Sequence, residues 1–214
     1  MNKIKTLYAP SEEEINSTRK ECWELLRNKI ENCTLCDLHR ERNLTVFGEG
    51  PMEARLVFIG EGPGADEDKE GRPFIGKAGK LLTRILDAAG ISRKEVFISN
   101  VVKCRPPNNR VPSLEEMMAC NSYLEAQISL INPEVIVCLG STPTKWLLKS
   151  TEGISKIRGK WFKWRGIDLM PMFHPSYLLR NQSRKPGSPK ELTWKDIQEV
   201  KRKLDDMKHG ENKS

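Results

Sequence analysis

Leu56-Val57-Phe58-Ile59-Gly60-Glu61-Gly62-Pro63-Gly64, followed by Gly71-Arg72-Pro73-Phe74, is the stretch from which the remaining 200 or so residues can be ordered. Leu56–Gly60 is a short apolar, partly β-branched run of the length that a buried parallel strand needs. The glycines behind it allow a sharp backbone turn against a ligand. A helix is expected over Lys77–Ala89, with Leu81, Leu82, Ile85 and Leu86 on its inner face and Gly90 as a left-handed terminator.

Working outward, the pattern repeats. Strands are expected over Glu95–Val102 and Val135–Leu139, and a hairpin joins Lys160–Trp164 to the last core strand, Ile167–Phe173. Ser113-Leu114-Glu115-Glu116 is a capping box for a helix to Ile131, and Ser141 is an N-cap for one to Leu148. Tyr177–Arg180 fits a helical turn, and Pro189 opens a last helix ending near Met207, before a tail at 208–214 without regular structure. At the N-terminal end, residues 1–32 are expected to form a helical segment. Ser11-Glu12-Glu13-Glu14 caps it, and Ile15, Cys22, Trp23, Leu26 and Ile30 share one face. Strands alternating with helices predict an α/β domain, a four-stranded parallel sheet covered on both faces. Ligands bind such sheets beyond the carboxyl ends of the strands. Here those ends carry Glu61-Gly62-Pro63-Gly64, Asn100, Gly140-Ser141 and His174.

Length and composition bound the reading. The 214 residues suit one domain, 37% apolar with 30% charged residues is a globular balance, and no apolar run approaches a membrane span. No apolar leader core follows Met1-Asn2-Lys3-Ile4-Lys5, so a cytoplasmic location is expected. A net charge of +7 favours a polyanionic partner. Three basic stretches, Arg105–Arg110, Lys160–Arg165 and Arg180–Lys185, are candidates to track a nucleic-acid backbone from the rim.

The rim chemistry suits a flat polar heterocycle. Phe74 can stack on a ring, Asn100 offers a donor and an acceptor to a base edge, and His174 can stabilise charge developing on a ring oxygen. Each residue also has a plainer use, as core anchor, loop-satisfying amide or structural histidine. A phosphate-loop reading of Gly60–Gly64 fails, because no Gly-Lys-Ser/Thr follows and Asp66, Glu67 and Asp68 would repel phosphates. Among six cysteines, Cys33 and Cys36 form a C-x2-C pair, with Cys104 and Cys120 fifteen intervening residues apart. That wide second pair is unlike a zinc ribbon and suits an iron–sulfur cluster; Cys22 and Cys138 fit buried free thiols.

With these residues assembled, the chain resembles the iron–sulfur uracil-DNA glycosylases of family 4. The resemblance rests on Gly60–Gly64, Glu67–Gly79, Asn100–Pro107 and Phe173–Arg180, and it covers about Cys33 to Leu204. It implies a three-layer α/β/α fold, a 4Fe-4S cluster on Cys33, Cys36, Cys104 and Cys120, and hydrolysis of the bond between uracil and deoxyribose in single- and double-stranded DNA. Phe74 corresponds to the ring that stacks on the flipped uracil, Asn100 to the amide that separates uracil from cytosine, and His174 to the group that bonds the uracil oxygen. Glu61, Glu67 and Asn109 match catalytic and pocket-shaping positions. Gly62 and Gly64 line the pocket, with Glu67 or the backbone near Gly64 as the wall against a thymine methyl. Pro175–Arg180, with Ser176 and Arg180, resembles the loop that enters the duplex. Gly62 stands where the best-known glycosylase class keeps a water-positioning aspartate, so the water falls to Glu61, Asn109 or backbone. Asn108 and Ala65 depart from the usual pattern.

Two other readings compete with turnover. One is a uracil-DNA binder that traps its ligand, disfavoured because the loop Lys103–Pro112 lacks the reactive histidine of that subgroup. The other is an iron–sulfur interaction module of the replication machinery with a decayed pocket. A monomer acting on uracil-containing DNA near the nucleoid is expected. A sliding clamp is a candidate partner, although no clamp-binding peptide stands out.

Overall fold

The computed structural model describes residues 11–211. The run Leu56–Gly60 forms strand β1, buried along its whole length. It is flanked by β2, Phe97–Asn100, and β3, Val135–Leu139, both parallel to it. β5, Ile167–Met172, extends the sheet parallel to β3, and β4, Phe162–Trp164, closes the edge antiparallel to β5. The sheet therefore has five strands in the order β2-β1-β3-β5-β4, not the four expected. The four core strands are the expected parallel set. The fifth is the hairpin's first arm, which hydrogen-bonds into the same sheet because Arg165 and Gly166 both take positive φ, the geometry of a tight two-residue turn.

Helices cover both faces, as three layers require. On one face Trp23, Leu26 and Ile30 of α1 (Glu12–Glu31), Leu124 and Ile128 of α4 (Leu114–Ile131) and Leu147 of α5 (Ser141–Leu148) pack on Val57, Ile59 and Ile136. On the other, Leu82 and Leu86 of α3 (Lys77–Ala88) and Ile197 and Val200 of α8 (Pro189–Glu211) pack on Leu56, Phe58 and Val137. Successive residues of β1 thus serve opposite cores, which is why the strand reads as an uninterrupted apolar run. The short helices α2 (Ala65–Glu70), α6 (Ile154–Ile157) and α7 (Pro175–Arg180) complete the framework. No helix among the described residues is long and apolar enough to cross a membrane.

Several expectations shift. Strand β2 is shorter than Glu95–Val102, because the chain bends after Asn100; Val101 and Val102 nevertheless donate to the carbonyls of Gly60 and Glu61. α8 continues to Glu211 rather than ending near Met207, while residues 1–10 and 212–214 of the terminal segments lie outside the described residues. Ile15 and Cys22 do not share the buried face of α1. Both are exposed, because the first half of that helix overhangs the sheet, where Arg19 bonds the last carbonyls of α4, Leu130 and Ile131. Gly140, not Ser141, caps α5: its φ is +95°, and a Cβ there would press on Cβ of His174.

Candidate functional site

The carboxyl ends of β1, β2 and β5 open into one cleft, whereas Gly140 and Ser141, expected there at the end of β3, do not line it. Glu61, Gly62, Gly64, Glu67, Phe74, Asn100, Asn109, His174, Ser176 and Arg180 all line it, so every pocket residue anticipated from the motifs meets here. Sheet order supplies the reason. The connection from β1 goes to one neighbour and the chain then returns to the other side of β1, so the loops after β1 and β3 diverge and leave a crevice between them.

Gly60 is the floor. A Cβ on it would meet Phe74 Cζ at 2.6 Å and the Asn100 side chain, so glycine alone lets the ring and the amide come together above the strand end. Phe74 holds φ at +51°, an unusual conformation for an aromatic residue. Gly79 of α3 permits it: a Cβ there would fall on the Phe74 carbonyl. Glu67 supports it from the other side, with Oε1 accepting from Ile75 N–H and Gly76 N–H, both at 2.9 Å, and Oε2 accepting from Gly64 N–H at 3.1 Å. Both oxygens of Glu67 are thus occupied by backbone donors, and the carboxylate straps the glycine turn to the aromatic turn. Asn100 is 1% exposed, and its Oδ1 has no hydrogen-bond partner among the described residues.

His174 caps α7. The Ser176 N–H donates to its Nδ1 at 3.1 Å, and the Ser176 hydroxyl lies 2.8 Å from the same atom. An Nδ1 that accepts from a backbone N–H carries no proton, so in the neutral ring the proton sits on Nε2. Burial, followed by the charge of Arg180, pushes the imidazole down to about 4, so the ring is neutral at ordinary pH. The ring centroid lies 5.6 Å from that of Phe74.

Glu61 follows β1 and accepts a hydrogen bond at Oε2 from Thr142 Oγ1, which lies at the start of α5 after β3. The bond spans the crevice between the diverging loops. Thr142 was not singled out from the sequence, where a threonine in the first turn of a helix carries no signal of its own. Asn109 also has positive φ, and its Oδ1 accepts from Arg105 Nε at 2.8 Å. Gly62 offers no room for a water-positioning side chain: a Cβ would meet Val102 Cγ2 at 2.8 Å.

Of the three basic stretches, Arg105–Arg110 and Arg180–Lys185 reach the cleft through Asn109, Arg110 and Arg180. Lys160–Arg165 runs along the sheet edge instead: the Gly159 N–H just before it donates to the Pro171 carbonyl near the carboxyl end of β5, and its turn lies at the other end, where Lys163 pairs with Asp168 and Arg165 with Glu125.

Residues 47–198 match the family described as the Uracil DNA glycosylase superfamily. The Type-4 uracil-DNA glycosylase of Thermotoga maritima is 48% identical over 186 residues, covering 86% of this chain and 95% of that one. The chain belongs to the type-4 uracil-DNA glycosylases. The Type-4 uracil-DNA glycosylase of Saccharolobus solfataricus is 45% identical over 167 residues, 74% of this chain and 77% of its own. A Type-5 uracil-DNA glycosylase of Pyrobaculum aerophilum shares 28% identity over 210 residues, 82% of this chain and 89% of its own.

In this type-4 uracil-DNA glycosylase a second cavity is lined by Cys33, Cys36, Cys104 and Cys120, on the side of β2 where α1 and α4 pack. Burial raises the Cys36 and Cys104 thiols and pushes Cys120 up to about 11. Arg42 donates to Cys104 Sγ at 3.1 Å and to the Cys33 carbonyl at 2.8 Å, a cation placed against the thiols that the spacing of cysteines alone did not reveal. Among the described residues no three His, Cys, Asp or Glu form a group that could hold a metal ion. Four thiols lining one cavity are the donor set that an iron–sulfur cluster takes.

Proposed function

We propose that the chain hydrolyses the N-glycosidic bond of uracil in single- and double-stranded DNA, releasing the base and leaving an abasic site for base excision repair. The observation that carries this reading is the buried Oδ1 of Asn100, without a partner among the described residues, set with Phe74 over Gly60 and within the same cleft as a neutral His174. A buried acceptor without a partner costs roughly 1–3 kcal/mol, which a ligand donor recovers. Uracil presents such a donor at N3–H and an acceptor at O4, where cytosine presents the reverse pattern.

Bond cleavage leaves an oxocarbenium-like sugar and a uracil anion. Phe74 stacks on the extruded base and so offsets part of the few kcal/mol that extrusion costs. His174 donates Nε2–H to the ring oxygen on which negative charge develops, and a neutral donor does this without handing over a proton. Glu61, oriented by Thr142, keeps Oε1 for the attacking water and lies where positive charge builds on the sugar. Glu67 is a positioning residue whose strapped carboxylate forms the wall against a C5 methyl. Asn109 shapes the cleft beside Arg105. Ser176 and Arg180, on α7, face the duplex.

Cys33, Cys36, Cys104 and Cys120 would hold a 4Fe-4S cluster, which when bound supplies a cross-link between the segment after α1, the loop after β2 and α4. The chain acts as a single monomeric domain in the cytoplasm, at the nucleoid. Recruitment by a sliding clamp has no supporting feature among the described residues and is not proposed. The test is a uracil-containing oligonucleotide incubated with purified protein and then treated with alkali. Strand cleavage at uracil is expected; an intact strand overturns the reading.

A further inference from the structure

Lys103 lies between the two cavities and has no role in the scheme above. It is 1% exposed, yet among the described residues no carboxylate pairs with it. Instead its ammonium donates to Ser99 Oγ at 2.7 Å, to the Asn100 carbonyl at 2.9 Å and to Gln127 Oε1 at 2.6 Å, so all three N–H bonds are used on neutral oxygens. Gln127, on α4, passes the connection on by donating Nε2–H to the Phe47 carbonyl at 2.8 Å, and Ser99 donates to the same carbonyl at 3.2 Å. A buried ammonium is costly unless it is held this way. Lys103 also lines the cavity of the four cysteines.

We propose that Lys103 is a positioning residue for base selection: it locks the end of β2 so that Asn100 meets the base at a fixed height, and it couples that strand end to the cysteine cavity. The proposal rests on the uracil-excision reading. Two of its three acceptors are the last two residues of β2, and the third is on the helix that carries Cys120. A strand end that shifts by a fraction of an ångström would turn the Asn100 amide away from N3–H and O4 of the base, with the stacking ring unmoved.

The test compares wild type with Lys103→Met, which keeps the length of the side chain and removes its donors, and with Gln127→Leu, which leaves Lys103 charged but takes one acceptor away. The substrates are matched oligonucleotides holding uracil or cytosine opposite guanine. In Lys103→Met we expect kcat for uracil to fall at least tenfold with KM within twofold, the excision ratio of uracil to cytosine to fall at least tenfold, and the iron content per chain to drop. Gln127→Leu should show the same pattern more weakly. If Lys103→Met does not fold, the Gln127→Leu ratio decides alone. Wild type that cleaves no uracil refutes the excision reading itself. Active wild type with an unchanged uracil-to-cytosine ratio in the variants, or with a loss of melting temperature that leaves the ratio and iron content intact, overturns the role given to Lys103.

Discussion

The Ser176 N–H donates to Nδ1 of His174 at 3.1 Å, so the backbone of α7 dictates which nitrogen of the histidine carries the proton. The ring beneath Arg180 is held at about 4, against about 6.5 for a free histidine. Its folded value lies below its unfolded one. Between pH 6.5 and about 4 the unfolded chain binds a proton that the native ring refuses, so stability contributed by the neutral ring is complete above 6.5 and is lost as pH falls toward 4. Nitrogen-15 NMR at pH 5.5 should find a neutral ring protonated at Nε2; an imidazolium signal there would refute the assignment. His174→Ala should lower kcat roughly 100-fold or more, in line with loss of an oxyanion donor, with little change in DNA affinity.

Gly79→Ala should displace Phe74. The added methyl falls on the Phe74 carbonyl, so α3 or the aromatic turn must move. Overpacking of this kind costs about 1–3 kcal/mol, read as a lower denaturation midpoint, and we expect kcat/KM for uracil to fall at least tenfold. Ala78→Gly, one residue away on the same helix, should cost about 1 kcal/mol and leave Phe74 in place.

Thr142→Val keeps shape and removes the donor to Glu61. Hydrogen bonds to charged groups are worth about 1.5–3 kcal/mol, so a fall of roughly 10- to 100-fold in kcat with KM nearly constant is expected. Steady-state kinetics on a single-stranded substrate check this, and a pure KM effect would place the pair in binding instead.

Cys120→Ser should deplete iron, measured against protein by elemental analysis. Cys22→Ser, at an exposed thiol outside the cavity, should leave it unchanged. Equal iron in both variants, or stoichiometric zinc in the wild type, would exclude the cluster.

The strand ends and the motifs around them were legible because a buried parallel strand leaves an apolar run and a glycine turn leaves glycines. Phe74, Asn100 and His174 belong to such motifs. Glu67 was legible as a position but not as a device: nothing in an acidic run of six residues without apolar spacing announces α2, or that the third helical residue would bond three backbone N–H groups. The stretch Lys160–Arg165 reads as part of the rim because basic and aromatic residues alternate there, while its strand direction carries it along the sheet edge and turns Arg165 to the opposite end.

By itself the sequence determined the parallel α/β architecture, the family, and which residue types stand at the four strand ends, since burial on both sheet faces and sharp turns are recorded locally in residue choice. Tertiary structure decided the rest: that Thr142 holds Glu61, that Ser176 sets the proton on His174, and that Lys103 stands between Asn100 and the cysteines. Those relationships join loops and elements that come near one another only through the strand order and crossovers of the sheet, or depend on the conformation of a single turn, and residue periodicity carries neither kind of information.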